Sequence, residues 1–572
     1  MKIKITGIWI LLLVSFSVYS QDKNPLYVSG NFQVLAQTYQ EDSLINAQVP
    51  DEKITLNSFA NIVATKGKFQ AGLRYESYLP QQLGYSEPNR YKGSGIGYRF
   101  VSYTDDDLNI TVGNFYEQFG IGLVLRSFED RNLGLENAMD GVKVGIEPLP
   151  GFYVKGVYGK MRVDFVDGIV NTDGFIRGVD GEIFINELDS SLNDMKTKIR
   201  LGGSFVSRFQ ADRQSNVTLP ENVGVYGARL NLNRGNWSMA VEYAEKINDP
   251  SGDNSVGTPA RDSSVFGQFI YNKGYAMQGN LTYSQKGFSF SADAKYLDNF
   301  SFRPDRTIQG VGPMINFHPA LTKQHSYMLA SQFYAYATQP TGEFAYMGEL
   351  SYNFKKNTFL GGRYGTQLTV NYARATGIDV NTTSADTFND TGVAYEPNFL
   401  KASDQVFFSD LNIELKKKWS KKVKTKFTYF NFIYDNDISQ GAILLDGTQA
   451  KGTIYADVFV AEANIKTRKK QNLRVVAQML RTGQHQGDWA GLVLEYTIAP
   501  HWNLSIVDLY NYGNSIEDNI LHYPLGGVAY SKDAHRISFE YGKRRAGLFC
   551  VGGVCRVVPA SNGLTITMTS NF

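Results

Sequence analysis

The chain has 572 residues with 20% charged residues and a formal net charge of +2, so no strong field of one sign is available to bind nucleic acid. Apolar residues make up 42% of the chain, which excludes an intrinsically disordered protein. Aromatic residues reach 13% and glycine is frequent, a mixture that favours strands and turns over helices.

The N-terminus has the features of a secretory signal peptide. Lys2 and Lys4 precede an apolar run over Ile5–Val18, and the residues up to Ser20 resemble a cleavage site. A membrane anchor is the alternative, but the apolar run is short for a span and polar residues follow it from Gln21. We therefore predict that the signal peptide is removed and that the mature chain begins at Gln21.

The mature chain alternates apolar and polar residues in segments of about ten residues. Residues 69–76 are an example, with Gln70, Arg74 and Glu76 as the polar members. Because neighbouring side chains of a strand point to opposite faces, each strand has one apolar and one polar face. After residue 20 no apolar run is long enough for a transmembrane helix. We expect Gln70, Arg74 and Glu76 to line a polar pore.

The connections between the strands separate an outer-membrane barrel from a soluble sandwich, because such a barrel has tight turns at one end and long loops at the other. The tight connections are 66–68, 105–107, 149–151, 234–236, 355–357 and 420–422. The long polar connections are 79–92, 163–196, 212–222, 246–263, 375–403 and 435–451. Tight turns at 273–274 and 286–287 must lie on opposite sides, and the strand direction near 298–325 stays open.

The C-terminal strand ends at Phe572, and an amphipathic last strand with a terminal aromatic residue resembles the assembly signal of outer-membrane barrels. An ordinary final strand is the alternative. No linker divides residues 21–572, so we predict a signal peptide over residues 1–20 and one all-β domain, a single large antiparallel transmembrane β-barrel of roughly 22–26 strands. Strand side chains alone cannot fill such a barrel, so its lumen must hold water, inward loops or another protein.

The stretch 114–138 differs from the rest of the chain, because its second half lacks alternation and is dense in paired charge. Charged groups of both signs require water or one another. An inward loop that narrows a pore would provide both, and a solvated surface loop is an equal alternative. The candidate inward-loop residues are Arg126, Glu129, Asp130, Arg131 and Glu136.

Two cysteines flank a Gly-Gly dipeptide, which is a favoured two-residue hairpin turn. In such a hairpin Cys550 and Cys555 face each other in a closely spaced pair, which permits a cross-strand disulfide in an exported protein. A metal or redox pair is the alternative, but the spacing is not CxxC and no histidine lies nearby. The flanking strands are longer than a membrane requires, so we expect this hairpin to project beyond the bilayer.

Enzymatic motifs are absent from the sequence. There is no HExxH, GxSxG or phosphate-binding loop among its residues, and we predict neither catalytic residues, nor a metal site, nor a cofactor. A Ser-His-Asp site assembled from distant strands stays open as a minor alternative. Residues 435–439 faintly resemble a calcium loop, but the glycine is misplaced and no bidentate glutamate follows.

Together with the signal peptide, the blocks Phe115–Leu123, Arg126–Arg131 and Cys550–Arg556 resemble those of a family of Bacteroidota outer-membrane β-barrels of unknown function. The resemblance covers the whole mature chain and implies the cell outer membrane as its location, without implying a substrate. The chain departs from TonB-dependent transporters, because no globular plug and no energy-coupling segment precede the strands.

We predict a porin-like passive channel for small polar solutes, in which inward loops limit the pore. The alternative is a non-conducting structural or assembly component of an outer-membrane or secretion complex, and a barrel hydrolase ranks third. The expected partners are the lipid bilayer, lipopolysaccharide, the barrel-assembly machinery and an envelope protein in the alternative, but no nucleic acid.

Overall fold

The computed structural model describes residues 24–85, 90–213, 218–247, 249, 273–306, 308, 313–382, 395–440, 452–551 and 554–572. The predicted signal peptide lies outside these residues. Twenty-four strands form one sheet of antiparallel neighbours, and the sheet closes because the first strand pairs with the last. The prediction of an all-β antiparallel barrel of 22–26 strands is therefore confirmed.

The strands are β1 (Tyr27–Thr38), β2 (Ile54–Lys66), β3 (Phe69–Tyr78), β4 (Tyr91–Thr104), β5 (Leu108–Phe115), β6 (Gln118–Phe119), β7 (Leu125–Arg126), β8 (Glu129–Asp130), β9 (Leu135–Glu136), β10 (Met139–Leu149), β11 (Phe152–Val166), β12 (Ile169–Phe184), β13 (Thr197–Phe209), β14 (Asn222–Arg234), β15 (Trp237–Lys246), β16 (Gly274–Gln285), β17 (Phe288–Asp298), β18 (Gly342–Phe354), β19 (Thr366–Thr382), β20 (Tyr395–Lys418), β21 (Val423–Asp435), β22 (Thr453–Arg468), β23 (Gln471–Arg481), β24 (Trp489–Ile498), β25 (Trp502–Tyr510), β26 (Leu525–Lys532), β27 (His535–Arg544), β28 (Gly547–Val551), β29 (Val554–Val558) and β30 (Ser561–Asn571). The pairs β6–β7, β8–β9 and β28–β29 are small separate sheets.

Helices contribute little to the fold. The α-helices are α1 (Met328–Ser331) and α2 (Asn436–Gln440), and single 3-10 turns lie at Ile185–Glu187, Ser190–Leu192 and Glu517–Asn519. None of the helices in the described ranges combines the length and the apolar character that crossing a bilayer demands.

The alternation in the sequence gives the barrel two different surfaces. Along β21, Phe430, Phe432 and Tyr434 are buried on the inner face, whereas Phe427 on the opposite face is exposed. Large apolar side chains are exposed on the outer face of other strands as well, including Leu350, Ile413, Leu492, Ile506 and Phe539. Closure leaves the sheet without an open edge, so its backbone groups are paired within the wall.

The two ends of the barrel differ. All six connections predicted as tight lie at one end, which we call the turn end, together with the start of β1 and the end of β30. The predicted long connections other than 163–196 lie at the opposite, loop end. Strand β16 begins at Gly274 after a long loop-end connection, so 273–274 is not a turn of its own, although it does lie opposite the turn at 286–287.

The prediction of one long connection over residues 163–196 is wrong. Strands β11 and β12 cross most of it and are joined by the two residues Asp167 and Gly168. The error arose because β12 carries Asp180 and Glu182 next to glycines, and this polar composition resembles a loop. In the open region 298–325, Asp298 ends β17, and the described residues after it contain no strand because they belong to a long segment between β17 and β18.

The apolar core lies inside the barrel. Two large clusters join inner-face side chains of the wall to residues of two segments that enter from the loop end. We call residues 116–138 insert A and residues 299–341 insert B. Insert A belongs to one cluster with β10–β16, and the second half of insert B belongs to the other with β18–β25.

The cysteine hairpin has the predicted backbone register. Strands β28 and β29 pair so that Cys550 lies opposite Cys555 and Val551 opposite Val554. The hairpin lies at the loop end, between β27 and β30. The side chains of both cysteines lie outside the described part of the chain, so the disulfide stays a prediction.

We predict that the exported protein contains a Cys550–Cys555 disulfide, because directly opposed cysteines in a hairpin satisfy the distance that a disulfide requires. Maleimide should label the unfolded chain only after reduction. The variant Cys550→Ser supplies the control, since its remaining thiol should react without reductant. Full labelling of the unreduced wild type would contradict the prediction.

Candidate functional site

Insert A reaches along the inside of the barrel from β5 to β15, which is six strands further round the wall. The backbone N–H of Ile121 donates to the Glu242 carboxylate of β15 at 2.8 Å. Gly120 lies against the same carboxylate with a φ of +55°, and a Cβ there would meet Oε2 at 2.1 Å. Only glycine fits both the backbone conformation and the space, so this contact fixes the tip of insert A on the wall.

A buried ionic network fixes the other half of insert A. Arg74 of β3 is 3% exposed, and its guanidinium donates to Glu76 at 2.7 Å, to Glu129 at 2.9 Å and to Glu136. Arg162 of β11 donates to both oxygens of Glu76, at 2.8 and 2.7 Å. Because each of these charges is paired, the network can be buried without an isolated ion.

Burial raises the pKa of Glu136, and the nearby guanidiniums of Arg74 and Arg162 oppose that rise. The phenol of Tyr116 also donates to this carboxylate, at 2.7 Å. The network therefore joins two barrel strands to both ends of insert A.

The remaining predicted residues have separate roles. Arg131 donates to Gln33 of β1 at 2.9 Å and lies 4.2 Å from the ring centre of Phe59. Asp130 accepts from backbone N–H groups of its own turn. Gln70 is exposed near the turn end, where it donates to a threonine, and it takes no part in the network.

Arg126 connects the two inserts. Its guanidinium lies 3.9 Å from the ring centre of Phe317 in insert B, and its backbone N–H donates to Ile315 at 2.8 Å. A second backbone bond runs from Phe317 to Gly122 at 3.0 Å, and Asn137 donates to Met314 at 3.1 Å. The inserts therefore pack as one body inside the barrel.

Insert B was not predicted from the sequence. The two strands that flank it, β17 and β18, are joined by a buried ion pair next to its two ends. Lys295 of β17 and Glu343 of β18 lie 2.9 Å apart, and both are inaccessible to solvent. Lys295 also donates to the Pro319 carbonyl at 2.6 Å and to Thr338 at 3.0 Å. These contacts hold the base of the insert against the wall.

The second half of insert B reaches across to β20–β24. His325 lies 2.6 Å from Asp410, the Tyr327 phenol donates to Glu462 at 3.0 Å, and the Leu329 N–H donates to Gln478 at 3.1 Å. Among the histidines, burial lowers the pKa of His318 in insert B to about 3, so its imidazole is neutral and serves packing. The geometry here is that of an anchored plug.

One sector of the wall stays accessible to water. In β27 Glu540 and Arg544 keep 42% and 37% of their side chains exposed, although their outward neighbours Phe539 and Tyr541 show that they face inward. Alternation gives this sector polar or charged inner-face residues that are at least partly exposed, which are Asn503, Ser505, Arg536, Ser538, Thr567 and Thr569. A polar passage beside the inserts fits this arrangement.

The family of unknown function DUF6029 matches residues 1–572. No curated protein matches the chain. The similar solved structures include the siderophore receptor PirA from Pseudomonas aeruginosa, at 9% identity and a TM-score of 0.39, covering 96% of this chain and 81% of that one. OccD3 (OpdP) from the same organism is 10% identical with a TM-score of 0.32, covering 96% and 91%.

The translocation pore of the P pilus usher PapC is 7% identical with a TM-score of 0.36, covering 96% of this chain and 99% of that one. Sequence identities and TM-scores as low as these carry no argument about function. The barrel architecture is established by the strand pairing of this chain itself, and its function has to be argued from the residues in its own lumen.

We predict that Arg74→Met destabilises insert A, because it leaves three carboxylates without their shared partner. Removal of one member of a buried ion pair costs about 3–5 kcal/mol. Limited proteolysis of the folded protein should produce cleavage within residues 116–138. The exposed Gln70→Ala in the same strand is the control and should match wild type. Equal protease resistance of all three proteins would show that Arg74 does not anchor the insert.

Proposed function

We propose that this chain, which belongs to the DUF6029 family over residues 1–572, is an outer-membrane barrel. It serves as a passive channel for small polar solutes. Inserts A and B limit the size of its pore. The observation that carries the proposal is the water-accessible, polar sector of the inner wall, in which Glu540 and Arg544 stay exposed beside the packed inserts.

The outer surface supports the membrane location. A closed barrel satisfies its backbone within the wall, and exposed apolar side chains on its outer face are stable only against lipid. With the predicted signal peptide, the outer membrane is the membrane that such a barrel enters. The turn end then faces the periplasm and the loop end faces outward. The Bacteroidota origin stays a prediction.

The passive mechanism follows from how the inserts are attached. Both are continuous with barrel strands at each end, and buried ion pairs and apolar clusters anchor them to the wall. Solutes would pass beside fixed inserts, and the mixture of Arg536, Glu540 and hydroxyl groups would give little preference between charges.

The same anchoring favours a second candidate, a non-conducting component of an envelope assembly. A rigid filling of the lumen would be expected if the loop end only bound another protein. The two candidates differ in whether solutes cross the barrel, so one flux measurement separates them.

We predict that the purified barrel releases neutral sugars from liposomes up to a size limit. Ser538→Cys, in a background with Cys550 and Cys555 replaced by serine, should lose most of this efflux after reaction with a bulky water-soluble thiol reagent, because position 538 faces the passage. Ile537→Cys faces lipid and is the matched control, so its efflux should not change.

Tight vesicles from correctly folded protein would overturn the channel proposal and favour the assembly component. Efflux that the reagent blocks equally at both positions would mean that solutes do not pass along β27.

A further inference from the structure

A cavity of about 450 Å³ opens at the turn end between β18 and β22, and lysines dominate its lining. The lysines of its lining are Lys356 in a turn-end connection, Lys416, Lys417 and Lys418 in β20, and Lys424 and Lys426 in β21. The register places Lys416 opposite Lys426 and Lys418 opposite Lys424. Four ammonium groups therefore occupy two adjacent cross-strand pairs.

These four lysines face the lumen. The ammonium of Lys426 lies 4.6 Å from the ring centre of Tyr327 in insert B, which is inside the barrel. Strand alternation places the other three on the same face, because Leu415 and Phe427, the chain neighbours of Lys416 and Lys426, are exposed on the outer face. The cavity therefore belongs to the lumen rather than to the lipid-facing surface.

Like charges directly opposite each other in a sheet repel. For the inner pair the repulsion is offset, because Glu414 lies 2.6 Å from Lys416 and 3.4 Å from Lys426. Within the described ranges no carboxylate pairs with the outer two, Lys418 and Lys424, and both are exposed. These two ammonium groups are therefore available to an anion from solution.

The rest of the lining suits a ligand with both anionic and hydroxyl groups. Amide side chains on neighbouring strands border the lysines, and they belong to Asn353, Gln367 and Asn464. The Tyr364 ring centre lies 5.8 Å from the Lys418 ammonium. The carboxylate of the lining, Glu462, is paired with Arg474 at 3.1 Å. The volume is within the range of small-molecule sites, which is about 300–1,000 Å³.

We propose that this cavity binds small solutes that carry two or more phosphate or carboxylate groups, with Lys418 and Lys424 as the principal contacts. The assignment rests on the proposed channel only in treating the ligand as a solute in transit, since binding itself requires no conduction. In that setting the lysines would concentrate polyanions at the periplasmic mouth.

Isothermal titration calorimetry of the detergent-solubilised full-length barrel tests the proposal, with inorganic pyrophosphate and citrate as probes and maltose as the neutral comparison. Both anions should bind, more weakly as salt rises, and maltose should not. Lys418→Gln with Lys424→Gln should weaken anion binding at least about tenfold, because two charge-assisted contacts are lost.

The matched control is Lys421→Gln with Lys422→Gln, which removes the same charge from the adjoining turn outside the cavity and should leave affinity unchanged. Lys418→Arg with Lys424→Arg should retain binding. Absence of pyrophosphate binding to wild type, or equal losses in both glutamine variants, would overturn the inference. Binding without sugar efflux would support this site and count against the channel, and efflux without binding would do the reverse.

Discussion

Closure of a 24-strand sheet determines what else this chain must contain. Pairing β1 with β30 satisfies the backbone without an open edge, but a barrel of this size encloses more space than wall side chains can fill. Inner-face residues such as Phe430 and Phe432 would then meet water. The inserts cover these residues, so the apolar clusters and the plug are consequences of one geometric requirement.

Apolar packing and charge pairing contribute in different ways to holding the inserts inside the barrel. Burial of aromatic side chains favours any compact filling, because it is non-directional. The paired charges of Arg74 with insert A and Lys295 with Glu343 require one arrangement, since a shifted insert would leave an ion unpaired in the interior. These contacts therefore set the position of the inserts, and the apolar clusters supply the driving force.

The wall of the barrel could be predicted from the sequence because its signal is local. Alternation along β3 and the short connections at the turn end both lie within a few residues. The density of paired charge in residues 114–138 is also a local signal, and it led to the hypothesis that insert A is an inward loop. The partner of Glu129 and Glu136 could not be identified in this way, because Arg74 lies in another strand and only the closed register brings it near.

Insert B lacks any local pattern. Its aromatic residues pack against strands more than a hundred positions away, as Tyr327 does against Glu462, and neither periodicity nor composition encodes such a contact. The polar strand β12 was mistaken for a loop for a related reason. Its charges are satisfied by neighbouring strands, as when Arg229 of β14 pairs with Asp180, so a sequence of charges and glycines is stable as wall.

The lysines at the turn end, in contrast to insert B, show a local sequence pattern. Lys416, Lys418, Lys424 and Lys426 are spaced by two on either side of a short turn, a pattern visible in the sequence that places all four on one face of a hairpin. Deeper in the lumen the charged side chains of Arg74, Arg162 and Lys295 have partners in the wall or in an insert. Lys418 and Lys424 are in contact with water instead. An anion bound between their two ammonium groups would relieve the repulsion between these like charges. The charges that hold the inserts in place are therefore distinct from those of Lys418 and Lys424, which are exposed at the turn end and available to a solute.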